Sequence, residues 1–212
     1  MKLHYYGHSC FSLRFANGTL LVTDPFDASV PYTPCAEIPT AALVSHDHFD
    51  HNCTSSLRGD FALVNTAGGY RFGDVRVTAV DSFHDDRRGA LRGSNLITRI
   101  EGDGLRIAHL GDLGHLPETD AQREALTDLD VMLIPVGGFF TIDTPHAEEI
   151  IRSYKPKIAI AMHYRTQVIP DWKITTPDSF VRDMHAYILP NEVEITRDTL
   201  PKLPSVAIME YK

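Results

Sequence analysis

The chain has 212 residues, 43% of them hydrophobic and 23% charged, which suits one soluble domain over residues 1–212 and excludes a disordered tail, a collagen-like fibre and a coiled coil. A formal charge of −8 repels phosphate backbones and argues against a nucleic-acid partner. No apolar run approaches the roughly 18 residues of a membrane span, and no apolar stretch follows Met1-Lys2-Leu3-His4, so neither membrane association nor a secretory leader is expected.

The opening reads as strands at Leu3–Tyr6, Cys10–Phe15 and Thr19–Thr23, short runs rich in aromatic and branched residues. Asn17-Gly18 between the last two is the dipeptide favoured by a type I′ hairpin, whose central residues both need positive φ. After Asp24-Pro25 comes a proline-rich loop over 26–40, then a short strand at Ala41–Ser45 that runs into His46. Asp50–Arg58 reads as a helix closed by Gly59. Strands follow at Phe61–Asn65, Val75–Val80, Asn95–Ile100 and Leu105–His109, and helices at 118–128 and 145–155 flank a strand at Asp130–Pro135. Lys157–Met162 is a further strand, and the tail adds a helix at 177–187 with strands at 192–196 and 205–210. Hairpins followed by alternating strand and helix imply two mixed sheets packed together with helices outside.

Histidine carries the chemistry. Eleven are present, and His46, Asp47, His48, Phe49, Asp50 and His51 form H-x-H-x-D-H at a strand end. Strand periodicity lets His46 and His48 point the same way, while Asp50 and His51 aim at a second point a few ångströms off. Imidazole suits a borderline metal such as zinc, and carboxylate compensates its charge. His84, Asp112 and His163 each follow a strand, as do His8 and Asp24. Each alone reads as an ordinary loop residue; together they form a series of polar groups at strand ends, where sheet-based sites are built. Cys10, Cys35 and Cys53 lack any CxxC spacing and read as free thiols of a reducing compartment, so a cytoplasmic location is expected.

H-x-H-x-D-H, a lone His84, Gly111-Asp112 and a strand-end His163 resemble the metallo-β-lactamase fold superfamily. Tyr6-Gly7-His8-Ser9, Thr23-Asp24-Pro25-Phe26, Ile134-Pro135-Val136-Gly137 and Met162-His163-Tyr164 are similar to its branch of ascorbate-6-phosphate lactonase and generic metal-dependent hydrolases. The resemblance implies an α/β four-layer αββα sandwich with the site along one edge of the sheets. It implies that His46, His48 and His84 hold one divalent ion, that Asp50, His51 and His163 hold another, and that Asp112 bridges them. Zinc is the first expectation, with manganese or iron as alternatives.

Two such ions about 3.5 Å apart repel by on the order of 20 kcal/mol at an effective dielectric of 20, so Asp112 and a bridging hydroxide are expected between them. The residual charge of about +1 favours a small anionic or carbonyl-bearing substrate. The expected reaction is hydrolysis of an ester, lactone or phosphoester, with Asp50 orienting the hydroxide and His8 or His109 as candidate acids, or else hydrogen-bond partners behind the ligands. Arg87, Arg88, Arg92 and Arg165 are candidate clasps for a substrate anion, and Phe139 with Phe140 a candidate wall. Competing readings are an inactive metal-binding or regulatory protein on the same scaffold and a di-iron redox protein. A nuclease is disfavoured by the acidic charge and by the lack of room for a cap domain. A homo-oligomer stays open.

Overall fold

A computed structural model of the chain describes residues 1–211. Two mixed sheets are stacked face to face. The first contains β1 (Lys2–Gly7), β2 (Cys10–Arg14), β3 (Leu20–Thr23), β4 (Ala41–Leu43) and β5 (Ala62–Val64) in spatial sequence, with β13 (Glu192–Glu194) outside β1. The second begins with the antiparallel strands β6 (Gly68–Phe72), β7 (Val75–Phe83), β8 (Ser94–Gly102) and β9 (Leu105–His109). It continues in parallel through β10 (Val131–Pro135), β11 (Ile158–Met162), β14 (Ser205–Met209) and β12 (Tyr187–Leu189).

Burial follows sequence pattern. β7 alternates buried Val75, Val77 and Ala79 with exposed partners, as a strand with one wet face must. β10 and β11 are buried along their whole length, because a parallel strand with both faces covered reads as an unbroken apolar run. Leu3, Tyr5, Leu13 and Leu21 of the first sheet meet Val77, Ile100, Leu133 and Ile160 of the second in the central core. The outer face of the second sheet is covered by α1 (Asp120–Ala125), α2 (Thr144–Tyr154) and α3 (Asp178–Met184) through Ala125, Ala147, Ile150 and Phe180. The outer face of the first sheet is covered by irregular chain instead: Phe26, Val30, Tyr32, Ile169 and Ile174 close over Cys10, Val22 and Ala42.

Four local expectations change. The 50–58 segment holds only a 3₁₀ turn at Thr54–Ser56, because the Cys53 amide donates to the Pro25 carbonyl and leaves the helical ladder. At Asn17-Gly18 only Gly18 has positive φ, and its amide closes on the Phe15 carbonyl, so the loop has three residues with a glycine bulge. The two-residue loop with both φ values positive lies at Asp103-Gly104, between β8 and β9. Edge strands β6 and β12 were not foreseen, since Gly68-Gly69 and the exposed Tyr187-Ile188 lack the alternation of a half-buried strand.

β1, β3, β4, β7, β9 and β11 share one direction within their sheets, and His8, Asp24, His46, His84, Asp112 and His163 all lie just beyond their carboxyl ends. Open sheets bind ligands at that edge.

Candidate metal centre

His46 and His48 lie past the end of β4, in a loop rather than on one face of a strand, yet their rings meet edge to face with centroids 4.5 Å apart. His84 completes the group, its ring 4.6 Å from that of His46. One donor atom from each of His46, His48 and His84 lies within 4.8 Å of the others. Asp50, His51 and His163 form a second such group, joined by His8.

Asp112 stands between the two. Its Oδ2 lies 3.1 Å from His84 Nε2 and 3.0 Å from His163 Nε2, and its Oδ1 lies 3.4 Å from His51 Nε2. The Asp112 amide donates to Asn95 Oδ1 at 2.9 Å, while the Asn95 side-chain amide donates to the Leu110 carbonyl and to Ser82. Gly111 precedes it with φ +54°, and a Cβ there would strike Ser45 and Asn95, so the close approach needs glycine.

Behind the ring atoms facing Asp112 lies a second set of contacts. Asp24 accepts from the Ser45 amide at 2.8 Å and the Ser45 hydroxyl at 2.7 Å, and its Oδ2 lies 2.8 Å from His51 Nδ1. Ser45 Oγ is also 2.9 Å from His46 Nδ1, so one buried carboxylate orients one histidine of each group. His84 Nδ1 donates to the Phe140 carbonyl at 3.1 Å, which turns its Nε2 toward Asp112. Asp24 was expected among the polar groups at strand ends but without a role, its signal being a carboxylate that closes a fully buried strand directly before Pro25; Ser45 was not foreseen as a site residue.

The electrostatics call for cations. Burial alone lowers the pKa of His51, but the carboxylates of Asp112 and Asp24 overcome it and push the ring up to about 10. Burial lowers His46 to about 2, assisted by repulsion from His51. Desolvation raises Asp112, and His163 and His51 reverse that, holding its carboxyl well below the usual range. Asp50 is likewise depressed against the opposing effect of burial, chiefly by its contact with His8. Meanwhile His46 Nε2, His51 Nε2 and Asp112 Oδ1 are buried without a hydrogen-bond partner. Imidazole nitrogens and ionised carboxylates pointing inward, unsatisfied, suit divalent metal ions, which would take the place of the proton that these carboxylates draw to His51.

The remaining expected residues fall differently. His8 is fully buried, its Nε2 is 3.1 Å from Asp50 Oδ2, and its carbonyl accepts the His163 amide at 2.9 Å; it braces Asp50 and His163 from behind. His109 cannot act as an acid in the cavity: Nε2 donates to the Ser9 carbonyl at 2.9 Å and Nδ1 accepts the Gly111 amide at 3.1 Å. Arg87 and Arg88 lie on an exposed loop that turns around Asp85, whose carboxylate accepts four backbone amides, from Arg87, Gly89, Leu91 and Arg92. That loop turns Arg88 into a neighbouring cavity, and Arg87 does not line the cavity over the site. Arg165 lines another cavity, with Tyr164, Pro177 and Tyr211, which contains none of the seven expected ligands. The clasp assigned to Arg87, Arg88 and Arg165 is therefore corrected. Phe139 and Arg92 do line the cavity over the site, about 600 Å³ in volume, with Asp50, Asp112 and His163. Phe49, Trp172 and Lys173 join them there and were not foreseen.

Comparison with known proteins places this arrangement. A family model described as a beta-lactamase superfamily domain matches residues 2–163, most of the chain. A metal-dependent hydrolase from Thermoplasma acidophilum is 30% identical over 191 residues, covering 78% of this chain and 84% of that protein. The crystal structure of a Thermotoga maritima protein, described as a possible Zn-dependent hydrolase of the metallo-β-lactamase superfamily, superposes with a TM-score of 0.82 and 32% identity over 100% of this chain and 99% of that one. The chain belongs to the metallo-β-lactamase superfamily. A metal-dependent hydrolase from Archaeoglobus fulgidus, 29% identical, extends the likeness to 93% of this chain and 96% of the relative, beyond the matched domain into the tail. For a superfamily member the two stacked mixed sheets are the expected frame, and the six strand ends described above carry the site.

Proposed function

We propose that this chain is a metal-dependent hydrolase that holds two divalent ions, zinc first among them, and cleaves an ester, lactone or phosphoester in a small anionic substrate. The supporting observation is the pair of inward-facing donor groups that share Asp112, with His46 Nε2, His51 Nε2 and Asp112 Oδ1 buried and unpartnered. Relatives named metal-dependent hydrolases support the same class.

His46, His48 and His84 would hold one ion, Asp50, His51 and His163 the other, and Asp112 both. Such a pair supplies Lewis acidity and lowers the pKa of water toward 7, so that a nucleophile exists at neutral pH. The chain's own residues set the rest. Asp50 lines the cavity and stays ionised, because His8 braces it, so it orients the attacking water as an acceptor. Asp24 and Ser45 hold the His51 and His46 rings so that each Nε2 faces inward. Neither His8 nor His109 lines the cavity, so neither supplies the proton for the leaving oxygen. A cavity of about 600 Å³ suits a small molecule rather than a polymer.

Elemental analysis of the purified chain, paired with a panel of esters, lactones and phosphoesters, tests the reading. Two equivalents of metal per chain are expected, with turnover of at least one class reduced a thousandfold or so by Asp112→Ala. Near wild-type turnover in a metal-loaded Asp112→Ala protein would overturn it.

A further inference from the structure

The cavity mouth carries more aromatic surface than hydrolysis requires. Phe49, inside the H-x-H-x-D-H segment, is 59% exposed, and Phe139 is 57% exposed. The core aromatics Phe11, Phe26 and Phe180 expose nothing, so the fold has room to bury such rings and does not do so here. Large apolar side chains gathered at one concave spot mark a contact surface. They form two walls. Phe49 and Trp172 stand 6.3 Å apart on one side, and Phe139 and Phe140 meet edge to face at 4.6 Å on the other.

The second wall is held at a conformational cost. Phe139 adopts φ +58°, a left-handed backbone that a bulky residue rarely takes, and strain of this kind collects where a side chain must be aimed. The Arg92 guanidinium fastens it, donating to the Phe139 carbonyl at 3.0 Å while lying over the Phe140 ring at 5.4 Å. Lys173 Nζ lies 5.6 Å over the Phe139 ring, beside the cavity. Beside these two cations stands Asp171, while the other two carboxylates of the cavity, Asp50 and Asp112, belong to the donor groups that would face the metal ions. The mouth thus pairs aromatic faces with positive charge.

Building on the hydrolase reading, we propose that the substrate carries an aromatic group next to its negative charge, received between the Phe49–Trp172 and Phe139–Phe140 walls with the anion toward Lys173 and Arg92. A compact, fully hydroxylated sugar phosphate would leave those rings uncovered. An aryl-bearing carboxylate or phosphoester covers them, and the offset or edge-to-face contacts of ring pairs add to the gain from burial.

Trp172 is the single tryptophan of the chain, so its fluorescence reports binding without any turnover. The zinc-loaded protein is titrated with phenylacetate and with acetate, which share a carboxylate and differ by one ring. Phenylacetate should bind at least about tenfold more tightly, and the advantage should shrink to about threefold or less in Phe49→Ala and in Phe139→Ala. Lys173→Ala should weaken both ligands by a similar factor. Because Phe49 and Phe139 are mostly exposed, both variants should fold, and unchanged zinc content verifies that. Equal affinity for the two ligands, or an aryl preference intact in both phenylalanine variants, would overturn the proposal. Aryl preference without turnover of any ester, lactone or phosphoester would sink the hydrolase reading and leave this one standing.

Discussion

The two halves of the candidate metal centre have the same number of ligands but are held very differently. In the half made by Asp50, His51 and His163, two side chains have a charged or polar partner behind them, and His163 is held through its backbone, its Nδ1 being buried without a partner. Asp24 grips the His51 ring, His8 braces Asp50, and the His8 carbonyl fixes the His163 backbone. In the half made by His46, His48 and His84, the supports are a serine hydroxyl and a backbone carbonyl, and the half-buried His48 ring has no hydrogen bond among the described residues. Charge divides the same way. His51 lies within 4 Å of Asp24, Asp50 and Asp112, whereas in the three-histidine half only Asp112 comes that close, and Asp24 acts on His46 and Asp50 on His48 from farther away. Equal numbers of ligands can therefore give unequal grip, because orientation and charge come in part from the residues behind the ligands.

The largest effect that would sharpen this contrast lies in Asp24. Asp24→Ala should weaken metal binding by about 10- to 100-fold, the range for removing such a support, and should act mainly on the His51 half. Ser45→Ala removes only the hydroxyl beside His46 and should cost several-fold less; competition against a graded chelator measures both. Equal losses would erase the distinction.

Next in size is the order of metal release. Chelation should proceed in two steps, the weaker ion leaving the three-histidine half first. His48→Ala should abolish the weak step and His51→Ala the tight one, read by metal content after dialysis at stepped chelator concentrations. A single step, or loss of the tight ion in His48→Ala, contradicts the unequal grip.

A carboxylate outside the site sets the scale for an ordinary contact. Asp143 caps α2, accepting the His146 amide at 3.2 Å, and its pKa is lowered, since the His146 ring and amide outweigh the opposing effect of burial. Asp143→Ala should cost about 1 kcal/mol at pH 7, as cap removals do. A depressed folded-state pKa contributes stability above the unfolded value near 4, and that contribution is lost as pH falls through the folded value. The difference between wild type and variant in denaturant midpoint should vanish at strongly acid pH; a constant gap would assign it to something other than the ionised cap.

The smallest expected effects are those of Arg87→Ala and Arg165→Ala. Neither side chain lines the cavity over the site, so turnover of an anionic substrate should stay within about twofold of wild type. A tenfold loss in either would restore the arginine clasp and remove the distinction between the cavity and its surroundings.

How much was legible follows physical lines. H-x-H-x-D-H was readable because its donors are chain neighbours, and the strand ends of β7, β9 and β11 could be inferred from branched apolar runs that stop at His84, Asp112 and His163. The second set of contacts was not readable in the same way. Asp24 reaches His51 across 27 positions and His8 reaches Asp50 across 42, contacts decided by the parallel and antiparallel registers of β1 to β4. Arg87 and Arg88 misled because a charged loop after His84 resembles a clasp until Asp85 is seen to gather its amides inward, whereas Arg92 of the same loop does line the cavity. The 50–58 segment failed as a helix because the Cys53 amide bonds to a carbonyl distant in sequence.

Composition and local spacing alone determined which donors exist and at which strand ends they stand, since both follow from side-chain chemistry and from where apolar runs stop. Only the tertiary structure decided how firmly each donor is held, which cations face the cavity and that Phe49 and Trp172 share a wall. Those contacts join residues far apart in the chain, and their distances are set by sheet register and loop path rather than by any neighbour in sequence.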